Sequence, residues 1–206
     1  MTAEPLRLFP DCTYPERHPG DFYETPEWCT RAILPHLGLF RTVLDAGAGT
    51  GAISRVVRPL LRDRWASGAW LHAVELDPGR AKESGADCGS FYDMTKIGGG
   101  ERWAKRWDLV ISNPPFSEAE RFAEHALTIG KTVCFLLRLG WLAANPSSKK
   151  DHIRKRLEIH RKNPCDVYVL GRRPSFTGGE DTDFSEYAWF VWGKGRGNRW
   201  FPLETP

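Results

Sequence analysis

Runs of apolar residues alternate along this chain with stretches in which apolar residues recur at helical spacing. Such alternation predicts βαβ units and a parallel sheet that is covered by helices on both faces. A further, weaker strand is predicted between Cys88 and Met94. The four clearest apolar runs are Thr42–Asp45, Trp70–Glu75, Trp107–Ser112 and Thr132–Leu139.

The last two apolar runs differ because no helix fits between them. Asp166–Leu170 and Tyr187–Trp192 are joined by the polar, glycine-containing segment 171–183, so they predict an antiparallel hairpin at the sheet edge with a mobile loop. Residues 1–20 are expected to form an arm and 193–206 a loose tail, which leaves 21–192 as one domain.

Three helix starts can be predicted from capping signals and periodicity. Pro26 suits the first turn of a helix, and Ser117 with Glu120 has the spacing of a capping box. A helix over 148–161 would turn Ile153 and Leu157 inward. The α/β pattern of the chain therefore predicts one domain of strands and helices.

Length and composition limit the classes of protein to which the chain can belong. With 206 residues and 41% hydrophobic content, one α/β domain with a sizeable core is expected. No run is long enough for a membrane helix and the N-terminus lacks the apolar core of a secretory signal, so we expect a soluble, intracellular protein. The five cysteines form no C-x-x-C pair, and no metal site is indicated.

Charge is distributed unevenly although the formal net charge is only +3. The window from Arg138 to Arg173 contains ten Lys or Arg residues and three Asp or Glu residues. A basic surface of this kind attracts phosphate, while a solvated helix face would have the same pattern. Both interpretations remain open at this stage.

A glycine-rich turn follows the first predicted strand. Gly47, Gly49 and Gly51 lack the Cβ atoms that would keep a ligand from the backbone, and a helix N-terminus follows them. Asp45 precedes the turn, and Glu75 ends the next strand, where an acid can accept hydrogen bonds from ribose hydroxyls. The combination indicates a cofactor that contains adenosine; a nicotinamide oxidoreductase also fits these residues.

The tetrad Asn113-Pro114-Pro115-Phe116 ends the third clear strand. Two prolines restrict the backbone, so the Asn113 carboxamide and the Pro114 carbonyl are expected to be held ready to accept both hydrogens of a substrate amine. Phe116 could then stack on the planar group that carries this amine. The alternative is a rigid turn with a core phenylalanine, but the upstream glycine turn favours the chemical role.

These motifs together resemble the class I S-adenosylmethionine-dependent methyltransferases of the amino-group type. Segment 45–51 is similar to their cofactor loop, Glu75 to their ribose-binding acid and 113–116 to their catalytic motif. Segment 21–26, with Tyr23, Thr25 and Pro26, resembles the motif that covers the methionine end of the cofactor in adenine-N6 DNA enzymes. Its position ahead of the other motifs is that of the gamma-type order, and segments 173–178 and 187–192 resemble small phage and prophage adenine methyltransferases.

The resemblance implies a Rossmann-like domain with a seven-stranded, mostly parallel sheet that binds S-adenosylmethionine. Where the family often has Gly-Asp-Phe, this chain has Gly89-Ser90-Phe91. Ser90 is therefore the expected cofactor contact together with Phe91, with Asp87 or Asp93 as substitutes. The implied reaction is methylation of adenine N6 in DNA. Alternatives are amino methylation of ribosomal or transfer RNA, methylation of protein glutamine, and a catalytically silent nucleic-acid-binding subunit.

Target recognition has to use surfaces other than the separate recognition domain of restriction-type enzymes. Expected contributors are the basic segments, the arm, and a partner subunit or second copy of the chain. Aromatic residues Trp141, Phe176 and Trp189 could form a pocket rim, although the alternation within its strand favours a core position for Trp189. The expected nucleic-acid contacts are Arg138, Lys149, Lys150, Arg172 and Arg173.

Overall fold

The structure, a computed structural model, describes residues 23–64, 68–94, 107–143, 147, 149–176 and 185–204. These residues form one mixed sheet of eight strands in the order β3-β2-β1-β4-β5-β7-β6-β8. The predicted arm, residues 1–20, lies outside the described residues. The strands are β1 (Thr42–Ala46), β2 (Trp70–Glu75), β3 (Asp87–Cys88), β4 (Trp107–Ser112), β5 (Gly130–Arg138), β6 (Cys165–Leu170), β7 (Tyr187–Gly193) and β8 (Trp200–Leu203).

Within the described residues, five α-helices cover the two faces of this sheet. The start of α3 shows how local sequence sets a boundary, because Asp77 accepts a hydrogen bond from the Arg80 N–H at 2.9 Å and Gly85 ends the helix in the left-handed conformation. No helix in the described part of the chain is long and apolar enough to cross a membrane. The helices are α1 (Glu27–Ile33), α2 (Ala52–Arg64), α3 (Pro78–Ser84), α4 (Ala119–Ile129) and α5 (Asp151–Lys162).

Strands β1 to β5 pair in parallel, so their carboxyl ends lie at one edge of the sheet, which we call the carboxyl edge. β7 then enters between β5 and β6 and pairs antiparallel with both. The predicted α/β fold with a parallel sheet and a C-terminal antiparallel hairpin is confirmed. Because β5 continues three residues past the partner of Ser112, its end projects beyond β4 at the carboxyl edge.

The prediction of seven strands and a loose tail is wrong, because β8 pairs in parallel with β6 and forms the sheet edge. Asp166 on β6 holds this segment in place. Its carboxylate is fully buried and accepts hydrogen bonds from the Arg199 guanidinium at 2.7 Å and the Gly197 N–H at 3.1 Å. Arg196 adds a longer ion pair, at 3.4 Å. Despite burial, these donors lower the pKa of Asp166 well below its usual range.

Two local predictions need correction. The segment 88–94 forms only the end of the short strand β3 and then a 3-10 turn at Phe91–Asp93, in which the Tyr92 N–H donates to the Ser90 hydroxyl. The capping box of Ser117 and Glu120 does not form, since Ser117 lies in a 3-10 turn and α4 begins at Ala119 without a side-chain cap. Both segments follow the end of a strand, and there the β-strand pattern and the capping-box spacing did not determine the local structure.

The two faces of the sheet carry separate apolar clusters. One lies under α4 and α5 and contains Trp141, which is buried against Phe190 and Trp192 and is therefore not part of a pocket rim. The other lies under α1 and α2 and contains Trp189, whose indole N–H donates to the Cys29 carbonyl at 2.9 Å. The core position favoured for Trp189 is confirmed.

An ion pair fixes α5 to the rest of the first cluster. Arg156 on α5 donates from Nε to Glu120 on α4 at 2.8 Å and from Nη2 at 2.5 Å. The side chains of Glu120 and Arg156 are only 5% and 16% exposed. Arg156 also donates to the carbonyls of Gly140 and Ala143, so α4, α5 and the turn after β5 share one set of contacts.

Candidate active site

Three segments that are distant in sequence meet at the carboxyl edge and line one cleft. They are the stretch before α1, the glycine turn between β1 and α2, and the segment after β4. β1 and β4 are parallel neighbours, so their carboxyl ends place the second and third segments side by side. The residues that line the cleft are Tyr23, Glu24, Thr25, Gly47, Ala48, Gly49, Thr50, Ala52, Ile53, Asn113 and Pro115.

The glycine turn has the backbone conformation that its sequence predicts. Gly47, Gly49 and Gly51 all have positive φ angles, of 67°, 56° and 85°, which other residues rarely adopt. At Gly51 a side chain would also meet α3, because a Cβ there would lie 3.1 Å from the Cβ of Ser84. The turn therefore brings bare backbone to the cleft and leads directly into α2.

Glu75 lies directly beneath this turn rather than in the cleft lining. Its carboxylate is fully buried, with Oε2 accepting from the Gly49 N–H at 2.8 Å and Oε1 from the Asp77 N–H at 3.0 Å. Arg80 lies 3.7 Å from Oε1. Both carboxylate oxygens of Glu75 therefore hold backbone, that of the turn at Gly49 and that of the segment before α3 at Asp77.

Asp45 is buried at the end of β1 and faces α2. Ser54 donates to its Oδ2 at 2.6 Å, while Oδ1 has no hydrogen-bond partner among the described residues. Burial raises the pKa of Asp45 to about 6, an effect that the bond from Ser54 only partly offsets. The structure therefore places Asp45 behind the glycine turn, not among the residues that line the cleft.

Replacing Asp45 with asparagine is expected to raise stability at neutral pH. The unfolded carboxyl titrates near pH 4 and the folded one at about pH 6, so both states are protonated below pH 4, and the folded state is progressively penalised as pH rises. The penalty reaches about 3 kcal/mol above pH 6. Urea unfolding of the ligand-free protein between pH 4 and pH 8 should show this loss in the natural chain and not in Asp45→Asn.

The matched control is Asp63→Asn, on the exposed face of the same helix α2. It should leave the pH dependence of the unfolding free energy unchanged. Equal pH profiles for Asp45→Asn and the natural chain would contradict the assigned ionisation of Asp45.

The segment 23–26 closes the cleft from the other side. Glu24 joins it to the glycine turn, since its Oε1 accepts from the Thr50 hydroxyl at 2.8 Å and from Arg55 at 2.7 Å. The bond from Arg55 lowers the pKa of Glu24. Pro26 caps α1, so the helix begins one residue later than its proline signal predicts. Glu24 is a site residue that sequence reasoning missed, because its partner Arg55 lies 31 positions away.

Asn113 is the polar side chain of the segment after β4. Its Nδ2 donates to the Tyr23 carbonyl at 3.0 Å, which fixes the orientation of the carboxamide. Its Oδ1 is buried and has no hydrogen-bond partner within the described part of the chain. Pro114 and Pro115 are both buried behind it. A buried acceptor without a donor is costly, so this oxygen is a clear site for a ligand N–H.

Phe116 belongs to an aromatic cluster beside the cleft. Its ring centroid lies 5.4 Å from that of Tyr23 and 5.9 Å from that of Tyr187, and Phe176 contacts both tyrosines. The Arg138 guanidinium lies 4.7 Å from the Phe116 centroid and donates to the Tyr187 hydroxyl at 3.1 Å. Arg138 thus contacts the predicted stacking ring.

The residues predicted to contact the adenine of the cofactor do not line the cleft. Ser90 caps the following turn through the Tyr92 N–H, and Phe91 is buried against Phe122 at 4.8 Å. Asp87 lies 3.6 Å from the ring of His72, and Asp93 ends the 3-10 turn.

Tyr92 links this turn to the segment after β4, because its hydroxyl donates to Glu118 at 2.6 Å. Neither Tyr92 nor Glu118 has a signal in the sequence that indicates this contact.

The predicted nucleic-acid contacts fall into two groups. Arg172 lies over the Trp28 ring at 4.5 Å and Arg173 pairs with Glu186, so both help to hold the start of the 171–183 loop. Lys149 and Lys150 are exposed just before α5. Loop residues 177–183 lie outside the described residues. In the part that is described, no group of three or more His, Cys, Asp or Glu side chains could hold a metal ion.

Comparison with solved structures identifies the architecture. The modification subunit of a candidate type I restriction enzyme from Vibrio vulnificus matches with a TM-score of 0.64 and 15% identity, over 91% of this chain and 49% of that one. The methyltransferase subunit of a type I restriction-modification system from Streptococcus thermophilus matches with a TM-score of 0.59 and 17% identity, over 87% and 47%. The fold is that of the class I methyltransferases.

A candidate RNA methyltransferase from Pyrococcus horikoshii matches this methyltransferase fold over 81% of both chains, with a TM-score of 0.55 and 17% identity. The chain spans about half the length of the two restriction-modification subunits. No protein-family model and no curated protein sequence matches the chain. The likeness therefore lies in the fold.

Proposed function

We propose that this chain is an S-adenosylmethionine-dependent methyltransferase that acts on the exocyclic N6 amino group of adenine in DNA. The observation that carries the proposal is the Asn113 carboxamide, whose Nδ2 is fixed by the Tyr23 carbonyl and whose buried Oδ1 has no donor among the described residues. The amino group of an aromatic ring can supply such a donor.

The cleft has the features that S-adenosylmethionine requires. Gly47 and Gly49 bring backbone to the cleft ahead of α2, and Tyr23 and Thr25 line the opposite wall. Glu75, beneath the turn, is the proposed acceptor for the ribose. Asp45 behind the turn and Pro26 at the start of α1 set the position of these walls. When bound, this cofactor supplies a methyl group on a positively charged sulfur.

The protein's own groups then prepare the amine. Oδ1 of Asn113 and the carbonyl of Pro114 accept its two hydrogens, which withdraws the nitrogen lone pair from the ring and turns it toward the methyl group. Phe116 stacks on the ring that carries the amine. The Tyr23 carbonyl fixes the Asn113 carboxamide, and the two prolines restrict the backbone that carries the Pro114 carbonyl. Positioning therefore supplies much of the rate acceleration, and no strong base is required.

Adenine in DNA is the favoured target because segment 23–26 precedes the glycine turn and the tetrad, which is the order found in the gamma-type DNA enzymes. Two of the proteins that share the fold are subunits of type I restriction systems. The Pyrococcus horikoshii protein favours RNA as the second candidate, because that likeness covers four fifths of both chains. A partner subunit or a second copy would assist target recognition.

The test is transfer of tritiated methyl from S-adenosylmethionine to unmethylated DNA, total RNA and a protein extract in parallel, followed by nucleoside analysis. We expect label as N6-methyladenine in DNA. Label in RNA or protein alone would keep the chemistry and overturn the substrate. Cofactor binding without transfer to any of the three would favour a catalytically silent subunit.

A further inference from the structure

One exposed leucine occupies a position that the core and the cleft do not explain. Among the described residues four large hydrophobic side chains are exposed: Leu39, Trp70, Leu142 and Trp200. Leu39 precedes β1, while Trp70 begins β2 and Trp200 begins β8, so these three lie at the amino ends of strands that run in one direction. Leu142 alone follows a strand end at the carboxyl edge, and 46% of its surface is exposed.

The turn that carries Leu142 is held rigidly from within the protein. It is a 3-10 turn, Leu139–Leu142, directly after β5. Arg156 donates to the carbonyls on both sides of Leu142, at 3.4 Å to Gly140 and 3.2 Å to Ala143. The side chain of Trp141 is buried, and the His160 ring contacts its carbonyl at 3.3 Å. An exposed apolar side chain on so firmly held a turn is not a product of local flexibility.

The turn also lies close to the proposed target site. Arg138 ends β5 and contacts the Phe116 ring, and the four steps along the backbone from Arg138 to Leu142 span at most about 14 Å. That is the length of about four base-pair steps of duplex DNA. Leu142 and the ring proposed to stack on the target base are therefore within reach of the same few nucleotides.

Basic groups on the segments joined to the turn of Leu142 fit a nucleic acid better than a protein partner. Lys149 and Lys150 are exposed at the start of α5, the helix whose Arg156 binds the turn. Arg138, which contacts Phe116 and Tyr187, lies just before the turn. The nearest acid of α5, Asp151, is paired with Arg154 at 2.6 Å. An apolar side chain flanked by cations is the arrangement with which proteins enter a base stack while they hold the phosphates on either side.

We propose that Leu142 is a wedge that enters the base stack of duplex DNA and fills the space left when the target adenine turns out toward Asn113. This inference rests on the proposed function, since it assumes a base that leaves a duplex. The wedge stabilises the opened duplex and makes no contact with the amine. Its effect is therefore confined to substrates in which the target base is stacked and paired.

The test compares Leu142→Ala with Leu39→Ala, which truncates the 76%-exposed leucine at the opposite edge. The substrates are two short duplexes around a site that the natural protein methylates in plasmid DNA, one with the target adenine paired and one with it mispaired. We expect Leu142→Ala to lower kcat/KM at least tenfold on the paired duplex and less than threefold on the mispaired one. Leu39→Ala should stay within twofold on both, and Leu142→Met should recover most of the loss.

Each outcome separates the wedge from the proposed function. Transfer to DNA by the natural protein with no difference between Leu142→Ala and Leu39→Ala would overturn the wedge alone. So would an equal loss on paired and mispaired duplexes, because a merely structural role would not distinguish them. Absence of transfer to DNA by the natural protein, including transfer to RNA only, would overturn both proposals.

Discussion

Asn113→Ala is expected to lower kcat for methyl transfer by at least about a hundredfold and to leave cofactor affinity within a few fold. The substitution removes Oδ1, the buried acceptor for the target amine, and loss of one fixed polar contact to a reacting group costs about this much. It also removes the bond from Nδ2 to the Tyr23 carbonyl, which contributes only about 1 kcal/mol. The cofactor walls should therefore remain in place.

Single-turnover transfer and calorimetric binding of S-adenosylmethionine measure the two quantities separately. The control is Asn163→Ala, which removes an asparagine of comparable exposure that donates to the Ile159 carbonyl at the end of α5. It should retain full transfer. A large loss of cofactor affinity in Asn113→Ala would place the carboxamide in the cofactor site and overturn its assignment to the target amine.

The strands at the centre of the sheet can be predicted from the sequence, because burial on both faces requires unbroken apolar runs. The predicted strands Trp107–Ser112 and Trp70–Glu75 have the same bounds as β4 and β2 of the structure. β8 is different, since Trp200-Phe201-Pro202-Leu203 contains a proline, which argues against a strand. Asp166, more than thirty positions upstream, accepts from Gly197 and Arg199 and so fixes the segment that leads into β8.

The candidate site likewise contains features that the sequence predicts and contacts that it does not. The glycine turn and the tetrad have local signals because positive φ angles and fixed backbone need particular residue types. The contacts that join the segments have none, since Glu24 meets Arg55 and Asn113 meets Tyr23 across 31 and 90 positions.

Glu120 shows how such a distant partner changes a local prediction. Its spacing from Ser117 predicts a cap, but its carboxylate pairs with Arg156 on α5 instead. Charged partners of this kind cannot be identified from one sequence.

Glu120→Ala is expected to lower the free energy of unfolding by about 3 kcal/mol. Arg156 would keep its carbonyl contacts but would remain largely buried without its counter-charge, and breaking a buried pair from one side is much more costly than replacing both partners. For a chain of this length the melting temperature should fall by roughly 6 to 12 °C. Glu158→Ala is the control, because its exposed pair with Lys162 at 3.4 Å should contribute under about 0.5 kcal/mol.

The double variant Glu120→Ala/Arg156→Met distinguishes an uncompensated charge from lost packing. If the buried charge causes the loss, removing it should restore at least half of the stability that Glu120→Ala loses. The same double variant should also transfer methyl groups to paired duplex DNA more slowly than the natural chain. Without Arg156, no guanidinium binds the carbonyls of Gly140 and Ala143 to hold the turn of Leu142. Equal unfolding free energies for Glu120→Ala and Glu158→Ala would contradict this account of how α5 and the turn are fixed.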